Sequence, residues 1–215
     1  MTEQQKAFWD AIDVFDKEGL LPYVMLIGSW AEYVYQDYLN LGFRANLKTR
    51  DVDFLYPNLN RPQKYDINIF QSMLEKGFIY REDILSGVGK FSKEDLLELE
   101  FITRVLGKGR HIYEIPSLKI KAEGLRNANM LADYPLELDC ENYIITVPEP
   151  AAYIVQKLLI NQTRMPETKK DKDIQAIREL LRHVDKDRVR QIISARPEKD
   201  RKIITETADR YFVEI

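Results

Sequence analysis

The apolar positions of the chain change period as it runs. Phe8, Ile12 and Phe15 recur at helical spacing among polar residues and stop short of Gly19, which predicts an amphipathic helix over residues 3–18. Tyr23 to Ile27 is a short apolar run ended by Gly28-Ser29, after which Trp30, Ala31, Val34, Tyr35 and Tyr38 resume helical spacing. The predicted order is strand, Gly-Ser turn, helix. Over residues 50–56, Arg-Asp-Val-Asp-Phe-Leu-Tyr, the period shortens to two, which sets Asp51, Asp53 and Leu55 on one side of a strand and Val52 and Phe54 on the other. Pro57 closes that strand.

Further along, the pattern predicts a helix over about 66–76, a strand over 78–82 and a strand over 97–105 with Glu98 and Glu100 on one face. The stretch 107–126 carries Gly107, Gly109 and Pro116, and its segment Leu118 to Leu125 fits a strand or a helix equally. Residues 136–147 alternate as a hairpin whose turn centres on Glu141-Asn142. Beyond Val147-Pro148-Glu149-Pro150 only helical spacing is found, over 150–162, 169–183, 186–194 and 197–211. The fold expected is α+β, with an amino-terminal α/β part at 1–147 and an all-helical carboxy-terminal part at 148–215.

Composition narrows the chemistry. With 215 residues, 45% of them hydrophobic, the chain can bury a substantial core. A net charge of -3 argues against a uniformly basic nucleic-acid coat and leaves room for a local positive groove. One cysteine, Cys140, and two histidines, His111 and His183, exclude a disulfide framework and a Cys/His zinc site within the chain, so any metal must be held by carboxylates. Neither histidine is assigned to chemistry, and Cys140 reads as a small apolar residue in a strand. The start, MTEQQKAFWD, has no basic segment followed by an apolar one, and no run approaches the roughly 20 apolar residues of a bilayer span. The expectation is a cytoplasmic protein with no membrane partner.

Two features suit phosphate chemistry. Aspartates one residue apart on a strand, Asp51 and Asp53, can bridge magnesium or manganese ions and leave coordination sites for phosphate oxygens. Gly28 lets the backbone approach a phosphate, and Ser29 opens a helix whose first amides lack partners. Each feature alone has a plain structural reading, as a solvated strand edge or an ordinary helix start.

Together, strand, Gly28-Ser29, helix and then Thr49-Arg50-Asp51-Val52-Asp53-Phe54 resemble the signature of the DNA polymerase beta-type nucleotidyltransferases. The resemblance implies a mixed sheet with flanking helices, a Gly-Ser turn that binds a nucleoside triphosphate such as ATP, a metal-binding Asp-x-Asp strand and a third carboxylate on a later strand. Glu100, in Leu99-Glu100-Phe101-Ile102, looks like that third residue, and Glu98 on the same face is the alternative. With Val147-Pro148-Glu149-Pro150 and the tail, most of the chain is similar to bacterial stand-alone nucleotidyltransferases related to toxin-antitoxin and abortive-infection ones. In that group tail cations face the triphosphate, which here implies Lys157, Arg164, Lys169 and the Lys172-Asp173 pair. Arg50 is a candidate for substrate contact or for a surface ion pair, and Lys157, among Ile154, Leu158 and Leu159, for phosphate binding or for snorkelling.

The implied activity is metal-dependent transfer of a nucleoside monophosphate to an acceptor hydroxyl on tRNA, a protein or a small molecule. From Arg164 to Lys202 thirteen Lys or Arg face eight Asp or Glu, interspersed at helical pair spacing, which favours a solvated face over an RNA groove and leaves RNA open as acceptor. The rivals from other classes are an inactive nucleotide-binding or antitoxin-like module of the same fold with a small protein partner, and a structural or interaction protein in which the carboxylates are incidental. A kinase is disfavoured because no Gly-x-x-x-x-Gly-Lys-Ser/Thr loop is present.

Overall fold

The computed structural model describes residues 1–39, 42, 45, 49–61, 67–105 and 111–215. The first helix, α1 (Glu3–Lys17), opens with a capping box in which Gln5 N–H donates to Thr2 Oγ1 at 3.2 Å and Thr2 N–H donates to Gln5 Oε1 at 2.7 Å. It buries the predicted Phe8, Ile12 and Phe15. A single 3-10 turn at Leu21–Tyr23 leads into β1 (Met25–Ile27), and α2 (Ser29–Tyr38) follows directly after Gly28.

The main sheet is mixed, as expected. Strand β2 (Asp51–Tyr56) pairs antiparallel with β1 and parallel with β5 (Leu97–Arg104), which comes after it in the chain beyond α3 (Ile69–Glu75), β3 (Ile79–Glu82) and β4 (Gly89–Lys93). The far side of β5 is forked. Its residues 97–100 pair antiparallel with β4, which pairs with β3, and residues 102–104 pair parallel with β7 (Ile120–Leu125), which pairs with β6 (Ile112–Ile115).

Alternation along β5 is strict. Leu97, Leu99, Phe101 and Thr103 are buried and Glu98, Glu100, Ile102 and Arg104 are turned to the other face. Phe15 of α1 meets Phe54 and Phe101 with ring centroids 4.9 and 5.7 Å apart, anchoring the apolar face of both strands. A slip of one residue would drive the acids into that aromatic cluster, so packing pins the register. The register puts Asp51 opposite Glu98 and Asp53 opposite Glu100.

After the short α4 (Ala128–Ala132), the predicted hairpin forms as β8 (Pro135–Cys140) and β9 (Tyr143–Pro148), with Glu141 left-handed at its turn. Helices α5 (Pro150–Asn161), α6 (Glu167–Leu180), α7 (Lys186–Ser194) and α8 (Glu198–Arg210) complete the chain. Nearly every residue of α5 is buried, because α4, α6, α7 and α8 all pack around it. No helix of the described residues is long and apolar enough to cross a membrane.

The differences from the expected elements are local. The helix foreseen over about 66–76 begins only at Ile69, and Asp66 lies outside the described residues, as do Gly107 and Gly109. Leu118–Leu125 resolves into a turn and strand β7. Strands β4 and β6 and helix α4 were not foreseen: they are four or five residues long, too short for a period to show.

Candidate active site

A cleft of about 550 Å³ opens where the acidic face of β2 and β5 meets the first turn of α2 and the helices α5 and α6. Gly28, Ser29, Asp51, Asp53 and Glu100 line it from the sheet side, and Lys157, Arg164, Lys169 and Lys172 from the helical side.

Gly28 is held at φ +70° and ψ −156°, a conformation essentially reserved for glycine. A Cβ there would also stand 2.8 Å from Asp53 Oδ2. The turn therefore needs glycine for its backbone and for the room it gives the aspartate. Ser29 then starts α2, so the amino-terminal end of that helix lies at the cleft.

The carboxylates crowd one another. Oxygens of Asp51, Glu98 and Glu100 all lie within 4.8 Å, and Thr49 Oγ1 donates to Asp51 Oδ2 at 3.2 Å. Burial, then the charges of Glu100 and Asp51, push the Asp53 carboxyl up to about 7, against the opposing pull of Arg164 and Lys169. Lys90 of β4 pairs with Glu100 and lies 3.8 Å from Glu98. The donors are all oxygen and their negative charge is incompletely matched, which fits a hard divalent ion such as magnesium. Asp51, Glu98 and Glu100 converge closely enough to hold it, and Asp53 lies beside them on the cleft.

Behind the Gly28-Ser29 turn lies a buried polar network. The Tyr153 hydroxyl lies 2.6 Å from Glu32 Oε1 and 3.0 Å from the Gly28 carbonyl oxygen, with its single proton shared between the two acceptors, tying α5 to the turn. Lys157 Nζ is 2.6 Å from Asp173 Oδ1 and 3.6 Å from Glu32 Oε1, and Arg164 Nε donates to Asp173 Oδ2 at 3.0 Å. Burial raises the Glu32 carboxyl, opposed by Lys157 and by the Tyr153 hydrogen bond.

The structure thus brings together most of the residues singled out from the sequence and separates one. Arg50 pairs with Asp95 at 2.9 Å and is not among the residues lining the cleft. Lys157 reaches the cleft wall with its ammonium buried and paired, whereas Arg164 has a side chain 37% exposed. Cys140 is buried, and burial pushes its thiol up to about 12, in keeping with an apolar role. Sequence reasoning missed Lys90, Glu32 and Tyr153. The signal for Glu32 was a carboxylate on the otherwise apolar face of Trp30, Ala31 and Tyr35, and for Tyr153 its place one turn before Lys157.

Comparison with known proteins agrees with this geometry. A family model described as nucleotidyltransferase matches residues 7–196. Among solved structures, the chain is similar to ANT(2″)-Ia in complex with adenylyl-2″-tobramycin, with a TM-score of 0.51 and 14% identity over 98% of this chain and 99% of that one. It is also similar to an antigenic nucleotidyltransferase-like protein from Paracoccidioides brasiliensis, with a TM-score of 0.59 and 13% identity over 98% and 90% of the two chains. No curated protein matches the chain in sequence.

Proposed function

Because the chain belongs to the nucleotidyltransferase family, we propose that it transfers the monophosphate of a nucleoside triphosphate to an acceptor hydroxyl and releases pyrophosphate. One observation carries this reading: Asp51, Asp53 and Glu100 share a cleft with Gly28-Ser29 and with Arg164, Lys169 and Lys172, so that acids and cations face a single space.

The Gly28-Ser29 turn and the first amides of α2 bind phosphate oxygens, and Arg164 and Lys169 offset the triphosphate charge from the helical side. Asp51, Asp53 and Glu100 hold the divalent ions. Bound there, such ions would supply positive charge to offset that of the triphosphate. Glu100 orients the acceptor hydroxyl or takes up its proton, which frees the oxygen to form the new P–O bond as the bond to pyrophosphate breaks. Residues 1–147 thereby supply the carboxylates and the turn, and 148–215 the cations.

The test is thermal melting of the wild type and Asp51→Ala/Asp53→Ala with each of the four ribonucleoside triphosphates, with and without magnesium. A magnesium-dependent stabilisation that the double variant loses is the expected result. Equal shifts in both proteins, or none in either, would remove the triphosphate site from these residues.

A further inference from the structure

Lys90 stands on β4 directly across from Glu100, on the face that carries Glu98 and Glu100. Its ammonium pairs with Glu100 Oε1 and lies 3.8 Å from Glu98 Oε2, and its side chain is 39% exposed. Both glutamates belong to the group of oxygens that converges with Asp51. A fixed cation therefore sits against the carboxylates that the reading above gives to a divalent ion.

The charges explain why a lysine is placed there. Glu98 and Glu100 are two residues apart on one strand face, with Asp51 and Asp53 opposite them in the register. Without a cation these like charges repel across neighbouring strands. Lys90 relieves the repulsion when the protein is metal-free. Once a divalent ion arrives, the same ammonium opposes it.

Resting on the nucleotidyltransferase reading, we propose that Lys90 is a positioning residue that competes with a divalent ion for Glu98 and Glu100 and so weakens the affinity of the carboxylate group for free metal. A group weakened in this way favours an ion that brings further oxygen ligands with it, as one bound to a triphosphate does. Two opposite effects follow from removing the charge. The metal-free protein loses stability, because four carboxylates are left with less compensation, and the affinity for a divalent ion rises. At about 6 Å, loss of one positive charge beside a divalent ion changes affinity by about tenfold even in a water-like dielectric. A lysine that merely held the fold would give the first effect without the second.

The experiment is calorimetric titration of manganese alone into the full chain, without nucleotide, for the wild type, Lys90→Met, Lys90→Gln and Lys90→Arg, each with its metal-free melting temperature. Lys90→Met and Lys90→Gln should bind manganese about tenfold more tightly and melt lower without it, and Lys90→Arg should behave as the wild type. If Lys90→Met does not fold, Lys90→Gln carries the same comparison. Unchanged or weaker manganese binding in the uncharged variants, with clear binding to the wild type, overturns the role of Lys90 and leaves the proposed function standing. Absence of manganese binding in every protein overturns both.

Discussion

Among the described residues, an acidic cluster on α1 and another on β2 and β5 are built from carboxylates and behave in opposite ways. On α1, Asp13 pairs with Lys17 at 2.8 Å and Lys76 at 2.9 Å, and Asp10 pairs with Lys93 at 2.8 Å. Cations outnumber acids there, and the Lys17 hydrogen bond, helped by Lys76 and Tyr143, draws the Asp13 carboxyl down to about 2. On β2 and β5, Asp51, Asp53, Glu98 and Glu100 share one face, Lys90 is the cation among the described residues that forms an ion pair with them, and the Asp53 carboxyl rises to about 7. A group of acids is therefore no signature of a cation site by itself. Burial combined with an unmatched surplus of negative charge is what separates the second cluster from the first.

The strongest way to break this comparison is to neutralise one acid in each cluster and measure catalysis. Asp53→Asn should lower the rate of pyrophosphate release by about 10³-fold or more, since it removes a group held to act on the reacting phosphate. Its far-ultraviolet circular dichroism should stay that of the wild type. Asp10→Asn should leave the rate within about twofold. Comparable losses in both would mean that charge imbalance does not mark the site.

Next in size is the contrast between buried and solvated ion pairs. Lys157 is 9% exposed in its side chain and Asp173 3%, so Lys157→Ala leaves a carboxylate buried with one of its two cations gone. A loss of about 3–5 kcal/mol in urea denaturation is expected. Lys76→Ala acts at the α1 cluster, where Lys17 and Lys93 remain, and should cost less than about 1 kcal/mol. A smaller step tests the link to the Gly28-Ser29 turn. Tyr153→Phe deletes the hydroxyl bonded to Gly28 and Glu32, and the KM for the triphosphate should rise several-fold with kcat changed less. A fall in kcat alone would show that the hydroxyl does not act through the turn.

How much of this was legible beforehand follows from the range of the forces involved. Asp51 and Asp53 could be placed on one face of a strand, and Glu98 and Glu100 on one face of another, because strand alternation is local, and the Gly28-Ser29 turn because glycine, serine and a helix start are neighbours in the chain; only the family resemblance joined Glu100 to the aspartates, and the pairing of β2 with β5 lies beyond local pattern. The fold class and the four closing helices followed from period alone. Lys90 could not be foreseen: β4 is five residues long, and its place beside Glu100 is created by antiparallel pairing with β5. The Glu32–Tyr153 contact joins residues 121 positions apart, and only tertiary packing reveals it. Lys157 was left between two roles for the same reason, since its partner Asp173 lies on another helix.

The smallest effect is the most direct check that the α1 cluster is a matched one. Asp13 has its folded carboxyl drawn below the ordinary value of 3.8, to about 2, so it binds protons less readily when folded than when unfolded. Its contribution to stability is then present in full above the unfolded value and is lost as the pH falls through the folded one. The Asp13 side chain is 20% exposed and its partners Lys17 and Lys76 more so, 66% and 35%, so solvent screens the pairs and limits the contribution to about 1 kcal/mol. Asp13→Asn should therefore lower the urea midpoint slightly at pH 7, and the gap to the wild type should narrow by about half near pH 3. A gap that widened on acidification would reverse the sign and place Asp13 among the destabilising acids, with Asp53.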